Sequence, residues 1–240
     1  MENNHKGKAI ILLYHQVGKT PVEQTNLDCY CDQDRFEEQM AYLHDSHYKV
    51  ISLDELMVKI NDQKPLFEEH YIVLTFDDGC AKFSKTALPI LKKYNFPSTI
   101  YPVAGSLGKV ASWPKVINPD LNIVSELALK ELSDQRVNIG AHTMNHVKLS
   151  TCDFDVAKEE IEKSKQTLEY IIGKEISSFS YPHGDYNEDV YSLIKTLGFS
   201  NAVTCNSNFV NADTDLFQLP RKYVTYFNTL DKFKNILINE

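Results

Sequence analysis

The chain has 240 residues with 25 basic and 33 acidic side chains, which gives a formal net charge of −8. This balance, without a long basic run, argues against a nucleic-acid partner, because such binding uses clustered Lys and Arg. No apolar run reaches the length of a signal-peptide core or a transmembrane segment, which predicts a cytoplasmic protein. No repeat or Gly/Ser/Pro-rich linker divides the chain, so residues 1–240 are predicted to form a single catalytic domain.

Strand-like and helix-like patterns alternate along the chain. Strands are predicted at 9–14, 48–51, 71–76, 98–103, 137–141, 178–181, 202–205 and 217–224. Helices are predicted near 36–43, 52–60, 83–94, 124–132, 156–172, 190–197 and 230–238. Ser52 and Glu55 form a capping box, and glycines at 173 and 198 end two helices. This α/β alternation predicts a parallel sheet, either open or closed into a barrel.

Polar side chains follow the predicted strands repeatedly, at their carboxyl ends. These positions are Tyr14-His15, Asp77-Asp78-Gly79, His142 with His146, and Tyr181-Pro182-His183-Gly184, with Arg221 in the last strand. Parallel strands bring such ends to one rim, where α/β folds place their active sites. The sequence therefore predicts one site built from these groups.

The adjacent carboxylates of Asp77 and Asp78 predict two separate roles, because neighbouring side chains on an extended backbone point in different directions. A surface turn is the alternative interpretation of Asp-Asp-Gly. His142 and His146 are four residues apart and would share a face on a helical turn. Two imidazoles and a carboxylate suit catalytic Zn²⁺ or another divalent transition metal. The five cysteines have spacings that fit no zinc knuckle and are interpreted as reduced, structural thiols.

Thr75-Phe76-Asp77-Asp78-Gly79 followed by His142-Thr143-Met144-Asn145-His146 resembles the polysaccharide deacetylases, the NodB-homology family or carbohydrate esterase family four. The resemblance spans roughly residues 9–224 and implies a distorted (β/α) barrel with about seven parallel strands. It implies that Asp77 is the general base and that Asp78, His142 and His146 hold one divalent cation. Zn²⁺ is the leading candidate, with Co²⁺, Ni²⁺, Mn²⁺ and Fe²⁺ as alternatives.

The segment Tyr181-Pro182-His183-Gly184 resembles the family motif that lines the substrate groove, with the His183 backbone N–H placed to hold an oxyanion. His183 stands where Tyr or Phe is more common and could contact sugar hydroxyls or only pack. Tyr14, Tyr181, Pro182, His183 and Trp113 are the candidate substrate-binding residues. Trp113, the sole tryptophan, could stack on a sugar ring or pack within its loop.

The sequence differs from the family pattern at two further positions. One is that of the catalytic acid, and the other is that of the residue that orients the general base. No histidine follows Arg221, but Leu13-Tyr14-His15-Gln16-Val17 resembles a permuted subgroup that includes poly-N-acetylglucosamine deacetylases. His15 is therefore predicted to be the catalytic acid, with a hydrogen-bonded structural histidine as the alternative. Ser180 stands where an arginine is usual, and Arg221 is predicted to orient Asp77 instead. The alternative is an ordinary surface arginine.

These residues predict a metal-dependent hydrolase that removes an N-acetyl or similar acyl group from an amino sugar or oligosaccharide. In this interpretation Asp77 takes a proton from the attacking water and His15 protonates the leaving amine. Two alternatives stay open at this point. One is a catalytically inactive saccharide-binding module on the same fold, and the other is a deacylase of a small nucleotide- or lipid-linked sugar.

Overall fold

The computed structural model describes residues 8–19, 21–23, 25–61, 69–114, 118–211 and 213–239. The strands are β1 Ala9–Tyr14, β2 Gln16–Gly18, β3 Tyr30–Asp32, β4 Lys49–Val50, β5 Tyr71–Asp78, β6 Ser98–Pro102, β7 Val137–Ile139, β8 Ser178–Ser180, β9 Asn201–Val203 and β10 Lys222–Tyr223. The α-helices are α1 Gln33–Asp45, α2 Leu53–Asn61, α3 Ala87–Lys93, α4 Glu126–Ser133, α5 Phe154–Ile172, α6 Glu188–Thr196 and α7 Leu230–Ile238. None of the helices in these ranges is both long and apolar enough to cross a bilayer.

The strands follow one another around a distorted parallel barrel. The main sheet has the order β10-β1-β5-β6-β7, and β4 pairs with the first residues of β5. A second parallel pair, β8-β9, is joined to both edges of this sheet by single bridges, Ala141 to Phe179 and Val203 to Leu219. The ring of β1, β5, β6, β7, β8, β9 and β10 confirms the predicted α/β barrel of about seven parallel strands.

Alternation along β5 separates the barrel interior from the outer helical layer. Ile72, Leu74 and Phe76 belong to the large outer core packed against the helices, whereas Val73 belongs to the inner cluster. Thr75 and Asp77 follow Val73 at steps of two and therefore share its inward face. The interior thus changes from apolar to polar toward the carboxyl ends of the strands.

Helix α2 packs on the apolar end of the interior and leaves the polar end open for a site. Its residues Leu53, Leu56, Met57 and Ile60 are buried in the inner cluster. The predicted capping box is confirmed, because the Glu55 N–H donates to Ser52 Oγ (3.1 Å) and the Ser52 N–H donates to Glu55 Oε2 (2.7 Å).

The glycine stop of α5 is also confirmed, since Gly173 adopts a left-handed backbone with φ of 67° directly after the helix. The last strand is much shorter than the predicted 217–224, because Pro220 has no N–H to donate and only 222–223 pair with β1. The parallel pair of β2 and β3 was not predicted, since neither three-residue segment shows an alternating pattern.

Candidate active site

Strand β5 delivers Asp77 and Asp78 to the polar end of the barrel, and both carboxylates are buried. Asp78 has a left-handed backbone with φ of 69°, which turns its side chain away from the direction of Asp77. Gly79 follows with φ of 77°, and a Cβ there would lie 2.6 Å from the Pro102 Cβ. Glycine is therefore required at this turn, both for the backbone conformation and for the close approach to β6.

Asp77 lies in a buried hydrogen-bond network with Arg221 and Ser180. The Arg221 guanidinium donates from Nη1 to Asp77 Oδ1 (2.7 Å) and from Nη2 to Oδ2 (2.6 Å). Ser180 Oγ donates to Oδ2 (3.0 Å) and accepts from Arg221 Nη2 (2.9 Å). Burial alone would raise the pKa of Asp77, but the facing guanidinium outweighs it and lowers that pKa below its usual value. Arg221 is thus buried at the site and not a surface arginine.

Asp78, His142 and His146 form the one group of possible metal ligands found among the described residues, with their ligand atoms all within 4.8 Å of one another. The Asp78 Oδ1 atom lies 3.6 Å from His142 Nε2 and 3.3 Å from His146 Nε2. Burial by itself would raise the pKa of the Asp78 carboxyl, but the two imidazoles hold it well below its usual range.

This group of side chains fits a divalent transition-metal cation. Asp78 Oδ1 is buried and has no hydrogen-bond donor among the described residues, although two imidazole nitrogens face it. A buried acceptor aimed at two other potential ligands is the arrangement that a shared cation satisfies. The His142 Nδ1–H donates to the Ser180 carbonyl oxygen (2.7 Å), which fixes the tautomer with Nε2 available as a ligand.

The segment that carries both histidines is a loop and not the predicted helical turn. Thr143 and His146 have left-handed backbones with φ of 62° and 57°, so an α-helix cannot run through them. The two imidazoles still converge because this loop folds over the buried Glu160 carboxylate. Glu160 Oε2 accepts from the Met144 N–H (3.0 Å) and the Asn145 N–H (2.9 Å).

His15 follows β1 and contributes a third imidazole on the side of the barrel where β10 pairs with β1. Its Nε2 lies 3.3 Å from the Tyr223 hydroxyl, and its buried Nδ1 has no hydrogen-bond partner in the part of the chain that the structure describes. Burial lowers the pKa of His15, and the nearby carboxylates of Asp78 and Asp77 oppose that change only in part. The structure therefore brings His15 within electrostatic reach of both aspartates.

The candidate substrate-binding residues divide into two groups. Trp113 stacks on His146 with ring centroids 4.7 Å apart, and the exposed His183 ring lies 4.5 Å from His146. Both rings therefore contact one of the candidate metal ligands.

The expectation of substrate contact was wrong for the side chains of Tyr14 and Tyr181, because both are completely buried. The Tyr14 hydroxyl donates to Gln39 Oε1 (2.9 Å), and the Tyr181 hydroxyl donates to the Phe217 carbonyl (3.0 Å). Pro182 is buried as well and shapes the turn that presents His183. Tyr14, Tyr181 and Pro182 therefore support the site by packing in the protein interior.

Three residues at the site were not predicted as part of its machinery. Glu160 lies on the buried stripe of α5 with Ala157, Ile161 and Ser164, so a carboxylate at a core position was the available signal. Tyr223 is two residues after Arg221 and shares its side of an extended backbone. Ser180 had no such signal, since its bonds to Asp77 and Arg221 join residues distant in sequence.

Comparison with known proteins places the chain in a family. Residues 65–202, more than half of the chain, match the polysaccharide deacetylase family. YxkH of Bacillus subtilis is 26% identical over 219 residues, covering 91% of this chain and 72% of that protein. The poly-beta-1,6-N-acetyl-D-glucosamine N-deacetylase of Staphylococcus epidermidis is 26% identical over 248 residues, covering 95% and 83%.

The fold has close structural relatives as well. The Streptococcus pyogenes deacetylase PplD, solved in complex with acetate, superposes with a TM-score of 0.83 at 24% identity, covering 98% of this chain and 100% of that one. This likeness confirms the barrel. Together with the family match, it confirms the resemblance first noted in the Asp77-Asp78 and His142–His146 motifs: the chain belongs to the polysaccharide deacetylase family.

Proposed function

We propose that this protein hydrolyses the acetamide group of an N-acetylated amino sugar, within an oligosaccharide or polymer, and needs one divalent cation to do so. The observation that carries the proposal is the buried Asp78–His142–His146 cluster next to the Asp77–Arg221 pair, with His15 within electrostatic reach of both aspartates. The name of the Staphylococcus epidermidis relative supports an N-acetylglucosamine unit as the substrate.

Asp78, His142 and His146 would hold the cation, and Zn²⁺ suits two imidazoles and a carboxylate. When bound, the cation would polarise the acyl carbonyl and lower the pKa of a water molecule. Trp113 and His183 would contact the sugar ring that carries the acyl group, which their contacts with the candidate ligand His146 support.

Asp77 would act as the general base through one defined oxygen. A carboxylate offers about four lone-pair positions. Arg221 and Ser180 together occupy both positions on Oδ2 and one on Oδ1. The remaining position on Oδ1 is therefore the one that would accept the proton from the attacking water.

His15 would complete the reaction as the general acid. The bond between the carbonyl carbon and the sugar nitrogen breaks, the nitrogen keeps the electron pair, and it takes a proton from the imidazolium. The products are acetate and a free amino sugar. Since base and acid come from β5 and β1, which pair along their length, the barrel holds the two groups at a fixed separation.

The test combines metal analysis with the release of free amine from N-acetylglucosamine oligomers. Purified protein is stripped with a chelator and reloaded in parallel with Zn²⁺, Co²⁺, Ni²⁺, Mn²⁺ or Fe²⁺. We expect activity to disappear on chelation, to return with metal, and to be lost in Asp78→Asn and His142→Gln. Asp231→Asn and His44→Gln, which change exposed side chains, serve as controls. Full amidase activity after complete metal removal would refute the proposal.

A catalytically inactive binding module is the second candidate, and the geometry gives it no specific support. The ligand cluster, the base with its guanidinium and the candidate acid are all present around one site. Metal-loaded protein that binds N-acetylated oligosaccharides but releases no amine would favour that alternative.

A further inference from the structure

A short chain of hydrogen bonds connects His15 to Cys29 through Tyr223. The Tyr223 hydroxyl is 3.3 Å from His15 Nε2 and also 3.3 Å from Cys29 Sγ. The Asn26 Nδ2 amide donates to the same sulfur at 3.3 Å. The rings of His15 and Tyr223 are 5.2 Å apart, because Tyr223 lies opposite Leu13 in the β1–β10 pairing.

The protonation states of these groups allow a chain of hydrogen bonds that runs from His15 through Tyr223 to Cys29. Burial raises the pKa of the Cys29 thiol to about 12, so the sulfur is a neutral group at physiological pH. Burial also raises the pKa of Tyr223, which keeps its single O–H. If that O–H points to the sulfur, the phenol oxygen accepts a hydrogen bond from His15 Nε2–H.

We propose that Tyr223, held by Cys29, is a positioning residue that keeps the proton of neutral His15 on Nε2 and leaves Nδ1 as the nitrogen that delivers a proton to the leaving amine. This role rests on the proposed deacetylase function. The Nδ1 atom of His15 supports it, because no group in the described part of the chain competes with a substrate amine for that nitrogen.

The proton balance of the step follows from this arrangement. The cationic imidazole carries protons on both nitrogens before the amide bond breaks. The sugar nitrogen takes the Nδ1 proton as the carbon–nitrogen bond breaks, and His15 is left neutral with Nε2–H still bonded to Tyr223. A proton from solvent, or the one that Asp77 removed from water, restores the starting state. Without the Tyr223 hydroxyl, the ring would lose the contact that fixes its tautomer and orientation.

The first test is independent of activity and uses NMR of protein labelled with ¹⁵N-histidine. His15 is assigned by the loss of its signals in His15→Gln. We expect the neutral His15 of the wild type to be the Nε2–H tautomer, and Tyr223→Phe to produce a mixture of tautomers. A wild-type Nδ1–H tautomer, or identical spectra for the two proteins, would overturn the proposal.

The second test separates proton delivery from general damage by changing the leaving group. An amine leaves only if it is protonated, whereas 4-nitrophenolate leaves an acetate ester without an acid. We expect Tyr223→Phe to lower kcat for an N-acetylglucosamine oligomer about 10-fold with little change in KM. Its kcat for 4-nitrophenyl acetate should stay within about twofold of the wild type. If Tyr223→Phe lowered kcat equally for both substrates, the role of Tyr223 would be structural only.

Matched variants complete this test. Tyr191→Phe removes an exposed phenol that donates to Asp215 and should change neither rate. Cys29→Ser keeps a hydrogen-bonding atom and should be closer to wild type than Cys29→Ala. In a His15→Ala background Tyr223→Phe should cause no further loss, and an additional loss there would contradict the proposal. If metal-loaded wild type releases no amine at all, the proposed function fails, while the NMR result still decides the role of Tyr223.

Discussion

Arg221 and Asp77 face each other in the barrel interior with two parallel hydrogen bonds, 2.7 and 2.6 Å long, and neither side chain is more than 3% exposed. They are 144 residues apart in sequence. The pair therefore joins the first half of the barrel to its last strand as well as preparing the candidate base.

Removing one charge of this pair should cost more stability than removing both. Arg221→Met leaves the Asp77 carboxylate buried without its guanidinium partner, and we expect the free energy of unfolding to fall by about 3–5 kcal/mol. Adding Asp77→Asn should restore much of that loss, because no uncompensated charge is then buried. Urea denaturation of the single and double variants measures this coupling. If the double variant lost as much free energy of unfolding as the two single variants combined, the two charges would not stabilise each other.

The same pair predicts the acid side of the pH–rate profile. A base must be ionised, and the guanidinium lowers the pKa of Asp77, so wild-type kcat/KM should persist as pH falls through the ordinary carboxyl range. Arg221→Lys keeps the charge but loses the paired geometry, which raises that pKa. Its activity should therefore be lost at a higher pH than in the wild type. Arg136→Lys, at an exposed arginine bonded to Asn95, is the control. If the low-pH side of the pH–rate profile were the same in Arg221→Lys and the wild type, Arg221 would not control the pKa of the base.

Metal binding should be visible without any substrate, because Trp113, the sole tryptophan, stacks on the candidate ligand His146. Adding Zn²⁺ to stripped protein should change the tryptophan fluorescence and raise Tm. A free Zn²⁺ concentration of about a hundred times Kd should raise the free energy of unfolding by about 2.7 kcal/mol. Asp78→Asn should abolish both responses.

His183 provides the matched control for that experiment. Its ring lies 4.5 Å from His146, yet it is outside the Asp78–His142–His146 cluster. His183→Ala should therefore keep the fluorescence change and the rise in Tm. Loss of both in this variant would make His183 a fourth ligand.

The sequence was sufficient for the parts of the site that local pattern determines. Asp77 and Asp78 end strand β5, and His142 comes shortly after strand β7, so the parallel topology alone brings them to one rim. The capping box at Ser52 and the glycine end of α5 were predicted for the same reason, since both are formed by neighbours in sequence.

The parts that depend on contacts between distant residues could not be predicted in this way. The His142–His146 spacing suggested a helical turn, but the left-handed residues Thr143 and His146 form a loop around Glu160 instead. Tyr14 appeared available for substrate contact because it precedes His15, yet alternation turns it into the outer core against Phe36 and Phe76. The catalytic roles of His15 and Arg221, and residues 1–240 as one domain, stay predictions.

Glu160 should control metal affinity without being a ligand. Its Oε2 binds two backbone N–H groups of the loop between His142 and His146, and its Oε1 accepts from Asn145 Nδ2 (2.6 Å). Glu160→Ala removes these acceptors and leaves buried donors unpaired, so we expect about 10- to 100-fold weaker Zn²⁺ binding. Glu160→Gln keeps an acceptor oxygen but loses the charge. Its affinity for Zn²⁺ should therefore lie between those of the wild type and Glu160→Ala. Isothermal titration measures both, with Glu159→Ala on the exposed side of α5 as control. Wild-type affinity in Glu160→Ala would mean that the loop holds its shape without this carboxylate.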